Sequence, residues 1–391
     1  ARVLNGELIG EDVLFTSVSK DTRDISGGSL YVAIKGERFD GHAFVGQAGE
    51  AGASGALVSE PQAVAVPQIH VTDTRQALGE LAASWRQQFS GKLVGITGSN
   101  GKTSVKEMTR SILVHAAGEE QVLSTSGNLN NDIGMPMTLL ELREQHRYAV
   151  IEMGANHPGE IDYLTHIARP DVAVITNAGP AHLEGFGSID KVASSKAEIY
   201  AGIVEGGTAV INADDHYADY WKAVCEKLGQ LERVLRFSMR DESADIYAAV
   251  DHDNGSTVMR IRTPLGSGTI RLAVPGNHNV MNALAAAAVS SVTGVELKDI
   301  IAGLEAFSGV SGRLATCYTR SGARIINDTY NANPLSMAAA MSVLAESGAD
   351  TWLVLGDMAE LGSEEEELHR KVGEQARSLG IRHLPVSYTH L

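Results

Sequence analysis

The chain has few cysteines, few basic residues and no long apolar run, and each shortage excludes a class of protein. Only two cysteines, Cys225 and Cys317, occur in 391 residues. Without C-x-x-C spacing they support neither a disulfide framework nor a zinc site, and we expect two inert thiols in a reducing compartment. No run of about eighteen apolar residues exists and no signal peptide precedes the first predicted strand, so we expect no membrane span and a cytoplasmic location.

The shortage of basic residues limits the partners that the chain can bind. Lysine and arginine number 32 against 48 aspartates and glutamates, a formal net charge of −16. Nucleic-acid and membrane-surface binders carry a basic face, so the composition argues against both classes. Aromatic residues make up only 5% of the chain, whereas glycines number 41. This balance favours an α/β protein with many tight turns between strands and helices.

One stretch, residues 92–106, predicts a strand, a glycine-rich turn and a helix in succession. The turn is T-G-S-N-G-K-T at 97–103. Glycines let successive N–H groups point inward, Lys102 supplies positive charge for phosphates, and the Thr103 hydroxyl can hold Mg²⁺. Ile96 stands where the general P-loop pattern has its first glycine, and a turn that merely joins strand to helix is the competing interpretation. The sequence therefore predicts a phosphate-binding loop.

The pattern of apolar runs divides the chain into three α/β parts. Residues 1–78 indicate a small domain, and residues 79–310 a P-loop domain with a largely parallel sheet and antiparallel strands at 245–275. Residues 311–391 indicate a Rossmann-like domain with too little sheet to cover its helices. We therefore expect an incomplete C-terminal domain, and a few residues missing before Ala1. The two strands predicted in the last part are 324–327 and 351–355.

Polar side chains follow the predicted central strands, at the edge where open α/β sheets bind ligands. Glu152 could hold a metal, although a loop salt bridge is the competing interpretation. His182, taken alone, is more typical of a hydrogen-bonded loop histidine, and Lys196 of a solvated helix residue. By composition alone, two polar loops in the N-terminal part are best interpreted as solvated turns. Their polar residues are Asp21, Thr22, Arg23 and Lys35.

Together, these positions resemble the Mur ligase family, and the resemblance covers essentially the whole chain. The motifs that carry it are T-G-S-N-G-K-T at 97–103, I-E-M-G-A-N-H around Glu152, A-H-L-E-G-F-G-S around His182, S-K-A-E-I around Lys196, and P-G-N-H-N-V-M-N-A at 275–283. The resemblance implies an ATP-dependent ligase that forms an amide bond through an acyl phosphate and builds the peptide of bacterial peptidoglycan.

The resemblance also implies which residues bind ATP and metal. Lys102, Glu152, His182 and Lys196 would be catalytic, and Thr103 would join the last three in holding Mg²⁺, two ions in all. Lys196 would be carbamylated, which turns a cation into an anion that helps to hold the second Mg²⁺. The implied ATP-binding residues are Thr97, Gly98, Ser99, Asn100, Gly101, Lys102, Thr103, Asn277, His278, Asn279, Asn282, Arg313 and Asp328.

The implied partners are two small molecules, with no nucleic acid or membrane, and the protein would be a monomer. Stretches 127–136, 327–334 and 355–362 resemble the branch that adds D-alanyl-D-alanine (D-Ala-D-Ala) to UDP-N-acetylmuramoyl-tripeptide (UDP-MurNAc-tripeptide). The alternatives are a sister ligase or a folylpolyglutamate synthetase that adds another amino acid, and a nucleotide-binding protein without turnover. The implied substrate-binding residues are Asp21, Thr22, Arg23 and Lys35 for the UDP end, and Asn130 and Asn131 along the muramoyl-peptide path.

Overall fold

The first part of the chain forms a five-stranded sheet in a computed structural model, which describes residues 1–36, 38–253, 256–348 and 350–387. Its strands are β1 (Glu7–Ile9), β2 (Ser17–Ser19), β3 (Ser29–Val32), β4 (Gly55–Val58) and β5 (Gln68–His70), with helices α1 (Val45–Glu50) and α2 (Thr74–Arg86). The order is β1-β5-β4-β3-β2, antiparallel only between β1 and β5. Strands β3 and β4 are buried throughout, as their continuous apolar runs predict.

A nine-stranded sheet forms the centre of the molecule. Its strands are β6 (Lys92–Thr97), β7 (Val122–Ser124), β8 (Tyr148–Glu152), β9 (Val172–Ile175), β10 (Thr208–Asn212), β11 (Arg233–Ser238), β12 (Ile246–Asp253), β13 (Ser256–Thr263) and β14 (Gly266–Leu272). The order is β14-β13-β12-β11-β10-β9-β6-β8-β7. Pairing is parallel from β7 to β12 and antiparallel among β12, β13 and β14, which confirms the antiparallel strands predicted at 245–275.

Helices cover both faces of the central sheet. They are α3 (Lys102–Ala117), α4 (Gly134–Leu139), α5 (Glu160–Ala168), α6 (Leu183–Phe186), α7 (Ile189–Ala197), α8 (Ala218–Leu228), α9 (Asn277–Ser290) and α10 (Leu297–Ala306). Alternate residues of β6 belong to different cores: Val94 and Ile96 pack with α3, α9 and α10, whereas Leu93 packs with α4, α5 and α7. Because successive side chains of a strand point to opposite faces, the P-loop strand is buried on both sides.

The last part of the chain has little regular sheet. Strands β15 (Ala315–Tyr318) and β16 (Arg324–Asn327) form an antiparallel pair, followed by helices α11 (Pro334–Ala345) and α12 (Glu365–Ser378). The strand predicted at 351–355 is recorded only as isolated parallel bridges, Trp352 with His383 and Leu355 with Val386. The intervening Pro385 has no N–H to donate, which interrupts a ladder. The final residues of the predicted tail, 388–391, lie outside the described residues.

Three other expectations concern the domain boundaries, the two thiols and membrane spans. Helix α2 runs through the proposed boundary at 78 and 79, and the domain boundaries stay predictions. Cys225 is buried but Cys317 is exposed, so burial protects only the first of the two thiols that we expected to be inert. No helix among the described residues is long and apolar enough to cross a membrane.

Candidate active site

The glycine-rich turn between β6 and α3 has a backbone that only glycine fits. Gly98 has φ of +147°, and a Cβ added there would lie 1.9 Å from Thr176 Oγ1. Gly101 has φ of +81°, and its Cβ would lie 2.4 Å from Asn282 Oδ1. Positive φ and close neighbours both favour glycine. Helix α9 and the segment after β9 therefore press directly against the predicted phosphate-binding loop.

The segment after β9 also holds the backbone of this loop by hydrogen bonds. Thr176 Oγ1 and Asn177 Nδ2 donate to the Asn100 carbonyl at 2.5 and 3.1 Å, and Asn100 N donates to Asn177 Oδ1 at 3.0 Å. Ser99 Oγ and the Gly179 backbone exchange hydrogen bonds of 3.0 and 3.1 Å. Sequence analysis did not assign Thr176, Asn177 or Gly179 to the site. The rule that ligands bind at strand ends pointed to this segment, but His182 was the residue in it that received a role.

Lys102 lies at the first position of α3 and points back over the loop. Its Nζ donates to the carbonyls of Gly98 at 2.8 Å and Ser99 at 3.3 Å. Burial lowers the pKa of the Lys102 ammonium, an effect that Glu152 opposes and Arg313 reinforces. The loop thus places one positive charge at a helix N-terminus, where backbone N–H groups already favour anions.

Thr103 and Glu152 meet beside the loop. The Thr103 hydroxyl donates to Glu152 Oε2 at 3.0 Å, and Asn130 Nδ2 donates to Glu152 Oε1 at 2.7 Å. Arg313 Nη2 donates to Thr103 Oγ1 at 3.0 Å, and its guanidinium lies 4.2 Å from the centre of the Tyr330 ring. Four predicted residues from distant parts of the chain therefore form one connected group.

The Thr103 and Glu152 oxygens fit Mg²⁺ but do not make a metal cage. Mg²⁺ prefers oxygen ligands, commonly one or two carboxylates with water and substrate phosphates completing its shell. Among the described residues, no group of three histidines, cysteines or acids could hold a metal ion. A hydroxyl and one buried carboxylate next to a phosphate-binding loop match the chemistry of a metal held jointly with a nucleotide.

His182 and Lys196 lie outside that connected group. His182 Nδ1 pairs with the carboxylate of Glu360, from the last part of the chain, a partner that sequence analysis missed. Lys196 is buried, with Nζ 5.5 Å from the centre of the Phe186 ring. Burial lowers the pKa of Lys196 to about 7, and the nearby Lys102 adds to the shift. As a free amine Lys196 would be a poor metal ligand, so its predicted metal role requires modification.

The residues predicted around adenine lie at the start of α9. Asn279 Nδ2 donates to the Pro275 carbonyl at 2.8 Å, and Asn282 Nδ2 donates to Asn279 Oδ1 at 3.4 Å. His278 Nε2 is shielded from solvent without a hydrogen-bond partner in the structure, and burial lowers the pKa of His278 to about 4. Asn277 is exposed. Asn282 lies beside the loop, where its Oδ1 would be 2.4 Å from a Cβ added to Gly101.

A cavity of about 1100 Å³ lies between the loop, Glu152, His182 and the last part of the chain; neither Lys196 nor the residues predicted around adenine are among its lining residues. Asp328 lines it, accepts a hydrogen bond from Leu314 N at 3.1 Å, and has its pKa raised by burial. An ion pair of 2.7 Å between Arg75 and Asp132 also lines it, and sequence analysis assigned neither residue. The predicted residues in its lining are Ser99, Asn100, Gly101, Lys102, Asn130, Asn131, Glu152, His182, Arg313 and Asp328.

The predicted UDP-binding residues are not among those that line this cavity. Arg23 forms an ion pair with Asp21, and its guanidinium holds the pKa of that carboxyl well below its usual range. Lys35 Nζ lies 3.1 Å from Glu60 Oε1 and 3.5 Å from Asp40 Oδ2. Asp21, Thr22, Arg23 and Lys35 lie at the N-terminal sheet, after strands β2 and β3.

Family comparison matches nearly the whole chain to one family. Residues 14–86 match the description "Mur ligase family, catalytic domain", residues 96–290 "Mur ligase middle domain" and residues 312–386 "Mur ligase, glutamate ligase domain". A UDP-N-acetylmuramoyl-tripeptide–D-alanyl-D-alanine ligase of Escherichia coli (strain K12) is 48% identical over 380 residues, which cover 97% of this chain and 82% of the relative.

Solved structures agree with the sequence comparison. A crystal structure of MurF from Acinetobacter baumannii has a TM-score of 0.92 and 39% identity, and the match covers 98% of this chain and 84% of that one. The MurF ligase of Thermotoga maritima, solved in complex with ADP, has a TM-score of 0.82 and 28% identity, covering 96% and 89%. The chain belongs to the Mur ligase family, within the group that these relatives represent.

Proposed function

We propose that the chain is an ATP-dependent amide ligase that joins D-Ala-D-Ala to UDP-MurNAc-tripeptide. One observation carries the proposal: a single cavity joins the phosphate-binding loop, the Asn130 and Asn131 segment, and Arg313 with Asp328 from the last part of the chain. Three substrates that must react together need such a meeting point. Its relatives, including one 48% identical, are ligases of this name, which favours this function over a sister ligase or a folylpolyglutamate synthetase.

The reaction has two steps that share one intermediate. An oxygen of the tripeptide carboxylate attacks the γ-phosphorus of ATP, the bond to the β,γ-bridging oxygen breaks, and ADP leaves an acyl phosphate. The neutral amine of D-Ala-D-Ala then attacks the acyl carbon, phosphate departs, and the nitrogen loses a proton as the amide forms. Phosphoryl transfer depends mainly on alignment and charge neutralisation. Lys102 supplies that charge from a half-buried position, where it acts more strongly than in water.

Metal ions would add to this neutralisation. Thr103 and Glu152 are the residues that would hold Mg²⁺, which when bound neutralises phosphate oxygens and orients them. Asn130 fixes the Glu152 carboxylate by its hydrogen bond of 2.7 Å. We propose His182 and a modified Lys196 for a second ion. Arg313, which donates to the Thr103 hydroxyl, would then place a second positive charge beside the nucleotide.

We propose that Lys196 is carbamylated. Burial lowers the pKa of its amine to about 7, so a large neutral fraction at neutral pH can attack CO₂, forming an N–C bond and releasing a proton. Carbon-13 NMR after equilibration with ¹³C-bicarbonate is expected to show one protein carbamate resonance that is absent from Lys196→Ala. An identical resonance in the variant would contradict the assignment.

The remaining roles follow from where the residues lie. We propose that Asp21, Thr22, Arg23 and Lys35 bind the UDP end, because a chain of net charge −16 needs local cations to hold a diphosphate. Asn277, His278, Asn279 and Asn282 would surround adenine. With ATP and a nucleotide-linked sugar as substrates, the protein would act in the cytoplasm, as a monomer.

Phosphate release with one component omitted at a time tests the ligase. We expect release to require ATP, Mg²⁺, UDP-MurNAc-tripeptide and D-Ala-D-Ala together, with amide product detected by mass. Lys102→Met is expected to lower kcat by roughly a hundred- to a thousand-fold, whereas Lys191→Met, at an exposed position of α7, serves as the matched control. ATP binding without any amide product would favour the nucleotide-binding alternative, and product with a different acceptor would favour a sister ligase.

A further inference from the structure

Asn333 is the N-cap residue of helix α11 and forms a reciprocal capping box with Ser336. Its Oδ1 accepts a hydrogen bond from Ser336 N at 3.0 Å, and its own N donates to Ser336 Oγ at 3.1 Å. Such a reciprocal cap fixes the side chain as well as the helix start. Asn333 is only 5% exposed, although it lies in a segment whose neighbours Tyr330 and Leu335 are largely exposed.

The amide of Asn333 also contacts the phosphate-binding loop. Its Nδ2 donates to Asn100 Oδ1 at 2.7 Å, and Asn100 Nδ2 donates back to Asn333 Oδ1 at 3.2 Å. The two residues are 233 positions apart in the chain. One side chain therefore joins the first turn of α11 to the loop through a reciprocal pair of hydrogen bonds, which local capping alone does not require.

Asn100 is held rigidly on its other sides. Thr176 and Asn177 bind its backbone carbonyl and N–H, which leaves its side chain as the adjustable group. Leu335, in the first turn of α11, packs over Gly179, where an added Cβ would lie 2.1 Å from Leu335 Cδ1. The docked helix therefore covers the segment that supports the loop and binds the Asn100 side chain, whose backbone that segment holds.

We propose that Asn333 is a positioning residue for phosphoryl transfer, which aligns Asn100 and the loop only when the last part of the chain is docked. Asn100 lies between Gly98 and Lys102 and lines the same cavity as Asn331 and Ser336. Binding of a substrate against the last part of the chain can thus favour the aligned loop. This inference rests on the proposed ligase function.

Asn333→Asp separates the positioning role from the capping role. Aspartate is as good an N-cap as asparagine, but it cannot donate to Asn100 Oδ1 and instead places a second acceptor against it. We expect kcat to fall about tenfold, as for one lost hydrogen bond in the transition state, with a smaller change in the KM for ATP. The thermal midpoint should stay near that of the wild type. Ser342→Ala, on the same helix away from the loop, is the matched control.

A double-variant cycle with Asn100→Ala decides whether the effect passes through Asn100. Each single variant is expected to lose about tenfold in kcat. The double variant should also lose about tenfold, because without the Asn100 amide the introduced carboxylate has no loop side chain to misalign. Multiplicative losses of about a hundredfold, or wild-type kcat in Asn333→Asp, would overturn the inference while leaving the ligase function intact. A wild-type chain that forms no amide would instead refute the proposed function and the inference with it.

Discussion

His278 is the residue whose ionisation is most affected by its surroundings in the predicted adenine region. Its Nε2 is shielded and has no hydrogen-bond partner among the described residues, and burial lowers the pKa of His278 to about 4, against about 6.5 for an unperturbed histidine. Below about pH 6.5 the unfolded chain binds a proton at this site more readily than the folded chain does. The contribution of His278 to the free energy of unfolding is therefore fully present above that pH. It is lost as the pH falls toward 4.

We predict that His278→Gln makes thermal stability less dependent on pH. Between pH 7 and pH 5 the wild type should lose about 1–2 kcal/mol at this site, and the variant should not. Thermal unfolding at the two pH values measures the difference. His115→Gln, at an exposed position of α3, controls for loss of a histidine; equal pH dependence in His278→Gln and the wild type would contradict the prediction.

The two thiols differ in exposure, and we predict that the exposed thiol reacts faster than the buried one. Cys317 is exposed on β15, whereas Cys225 is buried and burial raises its pKa to about 12. Because the thiolate is the reacting species, a maleimide should modify one thiol per native chain and two in denaturant. Peptide mass mapping should place the native label at Cys317, and Cys317→Ser should remain unlabelled. Native labelling of Cys225 would show that α8 opens more readily than its packing implies.

At the scale of elements, the turn between β6 and α3 depends on glycine for two separable reasons, backbone conformation and space. We predict that Gly98→Ala lowers stability and ATP affinity, because its Cβ would meet Thr176 at 1.9 Å. Gly118→Ala is the matched control. Gly118 has φ of +95°, and no heavy atom of the described residues lies within 4 Å of an added Cβ, so the variant should cost only backbone strain, about 1–3 kcal/mol. Urea unfolding and ATP titration of both variants test this, and equal losses would mean that the Thr176 contact relaxes freely.

The elements themselves were predictable where their signals are local. The apolar run and glycine turn at 92–106 predicted β6 and the start of α3, and the pattern at 245–275 predicted antiparallel strands. The strand at 351–355 was predicted from its apolar run, but Pro385 in its pairing partner reduces it to isolated bridges. A proline in a neighbouring segment leaves no trace in the strand's own sequence.

Across the molecule, Arg86 ties the end of α2 to the end of α5. Its guanidinium is buried and donates to the carbonyls of Ala168 at 2.8 Å, Phe89 at 3.1 Å and Arg169 at 2.9 Å. Burial lowers the pKa of Arg86. Removing the donor would leave the buried Ala168 carbonyl without it, which is costlier than the loss of an exposed bond.

We predict that Arg86→Met lowers the free energy of unfolding by about 2–4 kcal/mol. Arg110→Met, which breaks a surface ion pair with Glu119, should cost less than about 1 kcal/mol. Denaturant unfolding of the two variants provides the comparison. Similar losses of stability in the two variants would indicate that water hydrogen-bonds to the carbonyls that Arg86 normally binds.

Contacts between distant parts of the chain were the least predictable. Glu360 beside His182, Asn333 beside Asn100 and the Arg75–Asp132 pair have no local signature, because the partners are separated by 178, 233 and 57 positions (360−182, 333−100, 132−75). Sequence motifs identified Lys102, Thr103 and Glu152 because those residue types carry chemistry wherever they occur. The neighbours that hold them in place are asparagines, threonines and acids, which also occur at many positions without such a role.

The separation of Asn100 from Asn333 has a consequence for synthesis. Ribosomes extend a chain by about 5–20 residues per second, and domains tend to fold from the N-terminus as they emerge. The phosphate-binding loop therefore leaves the ribosome roughly 10–50 s before the asparagine that docks on it (233 residues at that rate). A nascent chain therefore makes its phosphate-binding loop early, and the contact proposed to align that loop can form only after Asn333 has left the ribosome.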